Sequence, residues 1–158
     1  KDADFNTSAY FGLITESLTD CSPQVSESGD RFEITITPKE NMRLMSLGFV
    51  KDPSALGSGM SLTLECTSPG REGPGRLKGD LALTFDANKP AKKELERKLT
   101  YPLLKGNTYR LTIKLEDDCR IKYVDASACA MVVGGNFPYA TIEFKDNRCP
   151  IYNGEFRH

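Results

Sequence analysis

The stretch from Leu99 to Leu115 constrains the fold more than any other part of this sequence. From Tyr109 onward, apolar side chains occupy every second position and polar side chains lie between them. This is the period of a β-strand with one buried and one hydrated face, whereas a helix places its apolar residues three or four apart. Gly106 and Asn107, two residue types that accept positive φ, precede this run. The sequence therefore predicts a strand, a turn and a second strand.

Similar alternating runs recur at intervals of roughly 8 to 15 residues, separated by Gly, Pro, Asp and Asn. We expect these runs to be strands, centred on 32–36, 45–49, 60–66, 81–85, 95–103, 121–123, 129–133 and 140–144, with Phe156 closing the last edge. The runs at 32–36 and 45–49 flank a polar turn and are expected to form the first antiparallel pair. The pattern predicts an all-β fold, a single antiparallel β-sandwich of jelly-roll type with about eight to ten strands and little helix.

The segment from Pro90 to Lys98 has high helix propensity, and Asn88 is a residue type that caps helices. However, Leu95 is its only strongly apolar residue, which is too little to anchor a helix on a core. We therefore expect a charged edge strand or loop. Lysines on an edge strand would also oppose edge-to-edge association.

The overall composition is that of an ordinary soluble domain. A chain of 158 residues with 39% hydrophobic and 27% charged residues suits one domain, which would bury roughly 70% of its unfolded surface. No apolar run approaches the roughly 18 residues that span a bilayer, and a formal charge of −1 argues against a nucleic-acid binder. With Lys1 at the start and no signal peptide, we expect residues 1–158 to be one domain excised from a larger protein, or a mature chain.

Five cysteines leave at least one thiol unpaired. Cys66 and Cys129 fall in phase with apolar strand positions, so we expect them to be small buried hydrophobes. Cys21, Cys119 and Cys149 have polar, turn-like neighbours, and a pair among them is the expected disulfide if the environment is oxidising. The compartment stays open, cytoplasmic without such a bond and extracellular or cell-surface with it.

The sequence gives little support for catalysis. His158 is the single histidine and stands at the last position, where we expect a frayed terminus and no catalytic base. Asp117 and Asp118 are neighbours in a turn, and their carboxylates are expected to be solvated. No zinc or EF-hand spacing is present, although Asp117, Asp118 or Asp125 could hold a calcium ion through a loop. We predict no enzyme activity, no cofactor and no metal centre.

Binding is therefore the expected function, and three connections are long enough to project: residues 15–30, 50–59 and 67–79. The candidate binding residues are basic or aromatic: Arg71, Arg76, Lys78, Lys92, Lys93, Phe137 and Tyr139. The basic residues suit an acidic protein or peptide, and a glycan is also possible. Alternatively, the basic residues are an ordinary solvated face and the two aromatics cap the end of the core.

The order of these segments resembles the PHR domains, β-sandwich modules of large ubiquitin-ligase and BTB proteins. GDRFEITI at 29–36 and LGF at 47–49 are similar to their first half, and LTYPLLKGNTY at 99–109 and CAMVVGGNFPYATIEF at 129–144 are similar to their second half. The resemblance spans residues 29–144 and implies a non-catalytic module for protein–protein binding inside a larger intracellular protein.

The same succession of segments also resembles surface sandwiches of jelly-roll type. That resemblance implies a secreted or cell-surface domain that binds a ligand or glycan and contains a disulfide. A hydrolase with two catalytic carboxylates is a third hypothesis.

Overall fold

The regular secondary structure in the described part of the chain is almost entirely antiparallel β-strand. The computed structural model describes residues 7–12, 22–57, 59–68, 83–84, 94–127 and 138–158, with the backbone alone at 83–84 and 94–101. The strands are β1 (Ser8–Phe11), β2 (Gln24–Val25), β3 (Arg31–Pro38), β4 (Met42–Val50), β5 (Gly59–Cys66), β6 (Leu83–Thr84), β7 (Glu94–Leu103), β8 (Tyr109–Leu115), β9 (Lys122–Asp125), β10 (Ala140–Phe144), β11 (Arg148–Cys149) and β12 (Asn153–Arg157). Within these ranges, the only helical turn is a 3₁₀ turn at Lys145–Asn147. The predicted all-β, antiparallel class is confirmed.

The strands form three sheets. Sheet I has the order β1-β12-β4-β7, sheet II the order β10-β3-β8-β5-β6 and sheet III the order β11-β9-β2. Neighbouring strands in all three sheets are antiparallel. No helix in the described part of the chain is long and apolar enough to cross a bilayer.

Apolar and polar residues that alternate in the sequence are alternately buried and partly exposed in the strands. In sheet II, Ile34 of β3 lies opposite Leu111 of β8, which in turn lies opposite Leu64 of β5. These three side chains are at most 1% exposed, whereas the residues between them face water in part. One connected hydrophobic core contains side chains from all three sheets.

The predicted pairing of the first two strands is wrong. β3 pairs with β10 and β8, whereas β4 pairs with β12 and β7. The turn between β3 and β4 carries the chain from sheet II to sheet I. Periodicity identifies a strand and its buried face, but the partner is chosen by the packing of whole faces.

The stretch at 99–115 has the predicted elements, also divided between sheets, because β7 lies in sheet I and β8 in sheet II. The turn falls where predicted, with Gly106 at φ +88°. The hydroxyl of Tyr109 supports this turn by accepting hydrogen bonds from Leu104 N at 2.8 Å and Asn107 Nδ2 at 3.3 Å. At 94–98 the predicted charged edge strand is confirmed, because β4 is the single neighbour of β7 among the described strands; residues 90–93 lie outside the described residues.

The last strand is an internal strand, which corrects the expectation that Phe156 closes an edge. β12 lies between β1 and β4, and the ring of Phe156 stacks on that of Phe11 at 5.0 Å. Gly154 makes room for this packing, because a Cβ there would lie 2.1 Å from a Phe11 ring atom. The expected frayed terminus is also wrong: His158 N and O bond to Thr7 O and N at 3.0 and 3.1 Å.

Candidate functional site

Three segments meet at one end of sheet II, at 26–30, 51–57 and 116–121, and we call this region the loop end. Ser26 N donates to Ile121 O at 2.9 Å, and Ile121 N donates to Ser26 Oγ at 3.0 Å. Asp118 N donates to Ser28 Oγ at 2.6 Å. Since Asp118 has φ 64°, its backbone is in the left-handed region that Asp tolerates better than most residues.

The segment 51–57, which leads from β4 towards β5, is fixed at both ends. Asp52 N donates to Arg120 O at 2.9 Å, and Gly57 N donates to Asp118 O at 2.8 Å. Between these anchors, the Asp52 carboxylate accepts hydrogen bonds from the backbone N–H and the hydroxyl of Ser54. Ala55 N donates to Asp52 O at 3.1 Å, and the Ala55 side chain is buried. The loop is therefore held in one conformation by its own contacts.

This rigid loop presents Leu56 to solvent. The side chain is 86% exposed, compared with 52% for Tyr10 and 44% for Val25, the other large apolar residues with marked exposure in the described ranges. The residue after it must be small, because a Cβ on Gly57 would lie 2.5 Å from Asp117 O. Leu56 thus stands on a backbone that packs directly against the turn at 116–118.

The turn beside Leu56 is acidic. Glu116, Asp117 and Asp118 are all exposed, and none of their carboxylates forms an ion pair within the described residues. An open groove of about 430 Å³ adjoins the turn, lined by Gly29, Ser61, Lys114, Leu115, Glu116 and Asp117. The loop end therefore combines one apolar projection, a shallow groove and three exposed carboxylates that form no ion pair within the described residues.

A contrasting cluster, around Asp30 and Arg148, lies where the segment 26–30 of the loop end leads into β3. Arg148 Nη1 donates to Asp30 Oδ2 at 2.8 Å and Nη2 donates to Arg31 O at 2.6 Å. The guanidinium carbon lies 4.3 Å from the Phe32 ring centroid and 5.3 Å from that of Tyr123. These contacts join β11 and β9 of sheet III to the start of β3 in sheet II.

The electrostatics of this cluster favour the charged pair. Burial raises the pKa of Asp30, but hydrogen bonds from Arg148 and the Arg31 N–H, together with the charge of Arg148, outweigh burial and hold the pKa below its ordinary value. Burial lowers the pKa of Arg148. The hydrogen bond to Asp30 and the charge of Asp30 outweigh the effect of burial, so the pKa of Arg148 is raised above its ordinary value. With every group partnered, the cluster is a structural clamp.

A second open groove, of about 730 Å³, lies on β3 and β10, and its lining is mixed. It is formed by Glu33, Thr35, Ala126, Ser127, Thr141, Ile142, Glu143, Phe144, Lys145 and Asn147. Glu33 Oε2 lies 3.5 Å from both Arg31 Nε and Lys145 Nζ. Because its acidic and basic groups are paired in part, this groove has a weaker electrostatic preference than the loop end.

Of the seven binding residues predicted from the sequence, one lies within the described residues. Those outside the described residues are Arg71, Arg76, Lys78, Lys92, Lys93 and Phe137. Tyr139 is described: it is half-buried, packs against the core, and accepts a hydrogen bond from Lys39 N at 2.8 Å through its backbone oxygen. Its ring lies 3.9 Å from the imidazole of His158, whose Nδ1 lies 3.0 Å from Glu40 Oε1. Tyr139 is far more enclosed than Leu56.

Two of the cysteines with polar neighbours in the sequence lie in the core. Cys119, in the turn after β8, and Cys149, in β11, are fully buried free thiols. Burial raises the pKa of Cys119 to about 11 and that of Cys149 to about 12. Cys66, the third free thiol in the described part, is half-buried against the core. Cys21 and Cys129 lie outside the described residues.

The three aspartates considered as calcium ligands lie in different parts of the structure. Asp117 and Asp118 belong to the loop end, whereas Asp125 Oδ1 accepts hydrogen bonds from Ser127 N at 2.9 Å and Ser127 Oγ at 2.7 Å. Within the described ranges, no group of three or more His, Cys, Asp or Glu side chains is arranged to hold a metal ion.

Known proteins give no direct guide to this site: no family model matches the chain, and no curated protein matches it. Sequence reasoning identified the loop at 50–59 as projecting but did not single out Leu56. The available signal was a lone large apolar residue in a segment otherwise rich in Pro, Ser, Ala and Gly.

Proposed function

We propose that this chain is a non-catalytic module that binds another protein through its loop end. In this proposal, sheets I and II stack as a β-sandwich around the shared core and act as a rigid scaffold for the loops. The resemblance to PHR domains implies the same class of function. The observation that carries the proposal is Leu56, 86% exposed on a loop held by its own hydrogen bonds.

The energetics favour binding at such a residue. Burying a leucine side chain fully is worth about 1.5–3 kcal/mol, and the isolated chain gains little of this because Leu56 is displayed to water. A partner that covers Leu56 would gain it. Because the loop is already ordered by the bonds at Asp52 and Gly57, little conformational entropy remains to be lost on binding.

The surroundings of Leu56 fit a central anchor with a polar rim. Interfaces concentrate their binding energy in a few buried anchors, surrounded by polar contacts that exclude water. Here the rim would be the turn at 116–118, and the neighbouring groove of about 430 Å³ would receive a side chain of the partner.

The proposal is tested with a display library of random peptides selected in parallel on the wild-type chain and on Leu56→Ser. Peptides enriched on the wild type should bind the variant at least about tenfold more weakly, as expected for the loss of roughly 1.4 kcal/mol. Tyr10→Ser is the matched control, since it removes a large exposed apolar side chain from β1 in sheet I.

Amide chemical-shift changes on peptide binding should concentrate in 51–57 and 116–121. Enriched peptides that bind wild type and Leu56→Ser equally, or that shift amides of sheet I instead, would contradict the proposal.

A further inference from the structure

The carboxylates around Leu56 lie where a partner must approach. The carboxylates of the anchored loop and the adjoining turn are Asp52, Glu116, Asp117 and Asp118, and the same segments contain two cations, Lys51 and Arg120. Lys51 is only 7% exposed and Arg120 is exposed, so one exposed cation stands against three exposed acids, Glu116, Asp117 and Asp118. The charge presented to solvent beside the apolar projection is therefore negative.

The acidic turn and the leucine form one surface. A Cβ on Gly57, the residue after Leu56, would lie 3.2 Å from the Cβ of Asp118. A Cβ on Gly59 would collide with the carboxylate of Glu116. A partner that covers Leu56 must therefore also contact or closely approach these carboxylates.

From this arrangement we infer that the partner of the loop end is a protein with an apolar pocket bordered by Lys or Arg side chains. The inference rests on the proposed function, and it adds the chemistry of the partner. An acidic rim on the partner would bring like charges together at a cost of several kcal/mol, whereas a basic rim steers the encounter and fixes its orientation. Anionic membranes are disfavoured for the same reason.

The partner's charge is tested on the peptides enriched on the wild-type chain. These peptides should combine an apolar segment with Lys or Arg. Their association rate should fall steeply between about 0.1 M and about 1 M salt, where the Debye length falls from about 10 Å to about 3 Å. Asp117→Asn/Asp118→Asn should lower the association rate constant roughly threefold to tenfold and flatten its salt dependence.

The substitutions are mild and have a matched control. Asn tolerates the positive φ of residue 118 as well as Asp does, so the fold should be retained. Asp146→Asn makes the same replacement at a residue with a similar φ of 57°. Asp146 lies in the turn after β10, and β10 is two strands away from β8 in sheet II. It should leave both the association rate and the salt dependence unchanged.

The outcomes separate the two ideas. If Leu56→Ser abolishes binding but the double Asn variant binds at the wild-type rate, or if the enriched peptides are acidic, the inference about the partner is overturned and the proposed function stands. Binding to vesicles containing phosphatidylserine that depends on Leu56 would also overturn the inference. If Leu56→Ser has no effect on peptide binding, the proposed function itself fails.

Discussion

Two aspartates on either side of the same glycine turn show how differently this chain uses one residue type. Asp30, which follows Gly29, is bound by Arg148 and by the Arg31 N–H and is 20% exposed at its side chain. Asp117 Oδ1 would lie 3.7 Å from a Cβ on Gly29, but it is exposed and makes no ion pair in the described part of the chain. The first carboxylate holds strands together, whereas the second is exposed to solvent.

The largest effect that distinguishes the two sites should come from Arg148→Ala. This change leaves a half-buried Asp30 carboxylate unpaired and removes the stacking on Phe32, and we expect it to lower the free energy of unfolding by about 3 kcal/mol. Asp117→Ala should change it by less than about 0.5 kcal/mol. Urea unfolding measures both, with Arg31→Ala as an exposed-arginine control. Equal losses for Arg148→Ala and Asp117→Ala would remove the distinction.

A second contrast lies between Asp118, which is exposed, and the next residue, Cys119, which is buried. The pKa values of Cys119 and Cys149 are raised from 9.0 to about 11 and about 12. Their contribution to stability is therefore complete below pH 9 and is lost as pH rises through the folded pKa values. Between pH 9 and its folded pKa, each thiol should lower the folding equilibrium constant about tenfold per pH unit.

Thiol alkylation measures the same burial without titrating the fold. At neutral pH, iodoacetamide should modify Cys66 well before Cys119 or Cys149, and all three should react in urea, as mapped by mass spectrometry. Rapid native modification of Cys149 would show that its thiol is not enclosed.

Acid should weaken the Asp30 clamp. Because the folded pKa of Asp30 lies below 3.8, its stabilising effect is present above that pH and is lost as pH falls through the folded pKa. Asp30→Asn should therefore reduce the loss of stability between neutral pH and acid. Unfolding at a series of pH values checks this, and identical profiles for Asp30→Asn and wild type would contradict it.

The smallest effect on stability is expected at the residue with the largest proposed effect on binding. Leu56→Ser should change the free energy of unfolding by less than about 0.5 kcal/mol, since the side chain contacts little of the folded chain. A loss of unfolding free energy comparable to that of Arg148→Ala would mean that Leu56 packs against the folded chain. Weaker peptide binding by Leu56→Ser would then reflect a damaged fold.

The sequence predicted most of the long strands because one of their faces is buried. Alternation marked β3, β5 and β8, where burial follows every second residue. It missed β2 and β11, which have two residues each, because two positions cannot show a period. It also misassigned the partner of β3, since pairing depends on which faces complement each other across distant parts of the chain.

The candidate site was less accessible to sequence reasoning. A projecting loop at 50–59 was expected from its composition, but the exposure of Leu56 depends on a hydrogen bond to Asp118, more than sixty positions away in the sequence. Likewise, the polar neighbours of Cys119 and Cys149 in the sequence gave no sign that both thiols are buried in the core. Their inward orientation is set by tertiary contacts that local composition does not report.

The placement of β12 in sheet I governs when this chain can finish folding during synthesis. β1, at residues 8–11, pairs with β12, at residues 153–157, and β12 also pairs with β4. An early strand must therefore wait for the end of this sequence to leave the ribosome. Pairings of such long sequence separation are slow to form, with folding on the scale of milliseconds to seconds. Until then, the backbone N–H and C=O groups along the β12 side of β4 lack their strand partners.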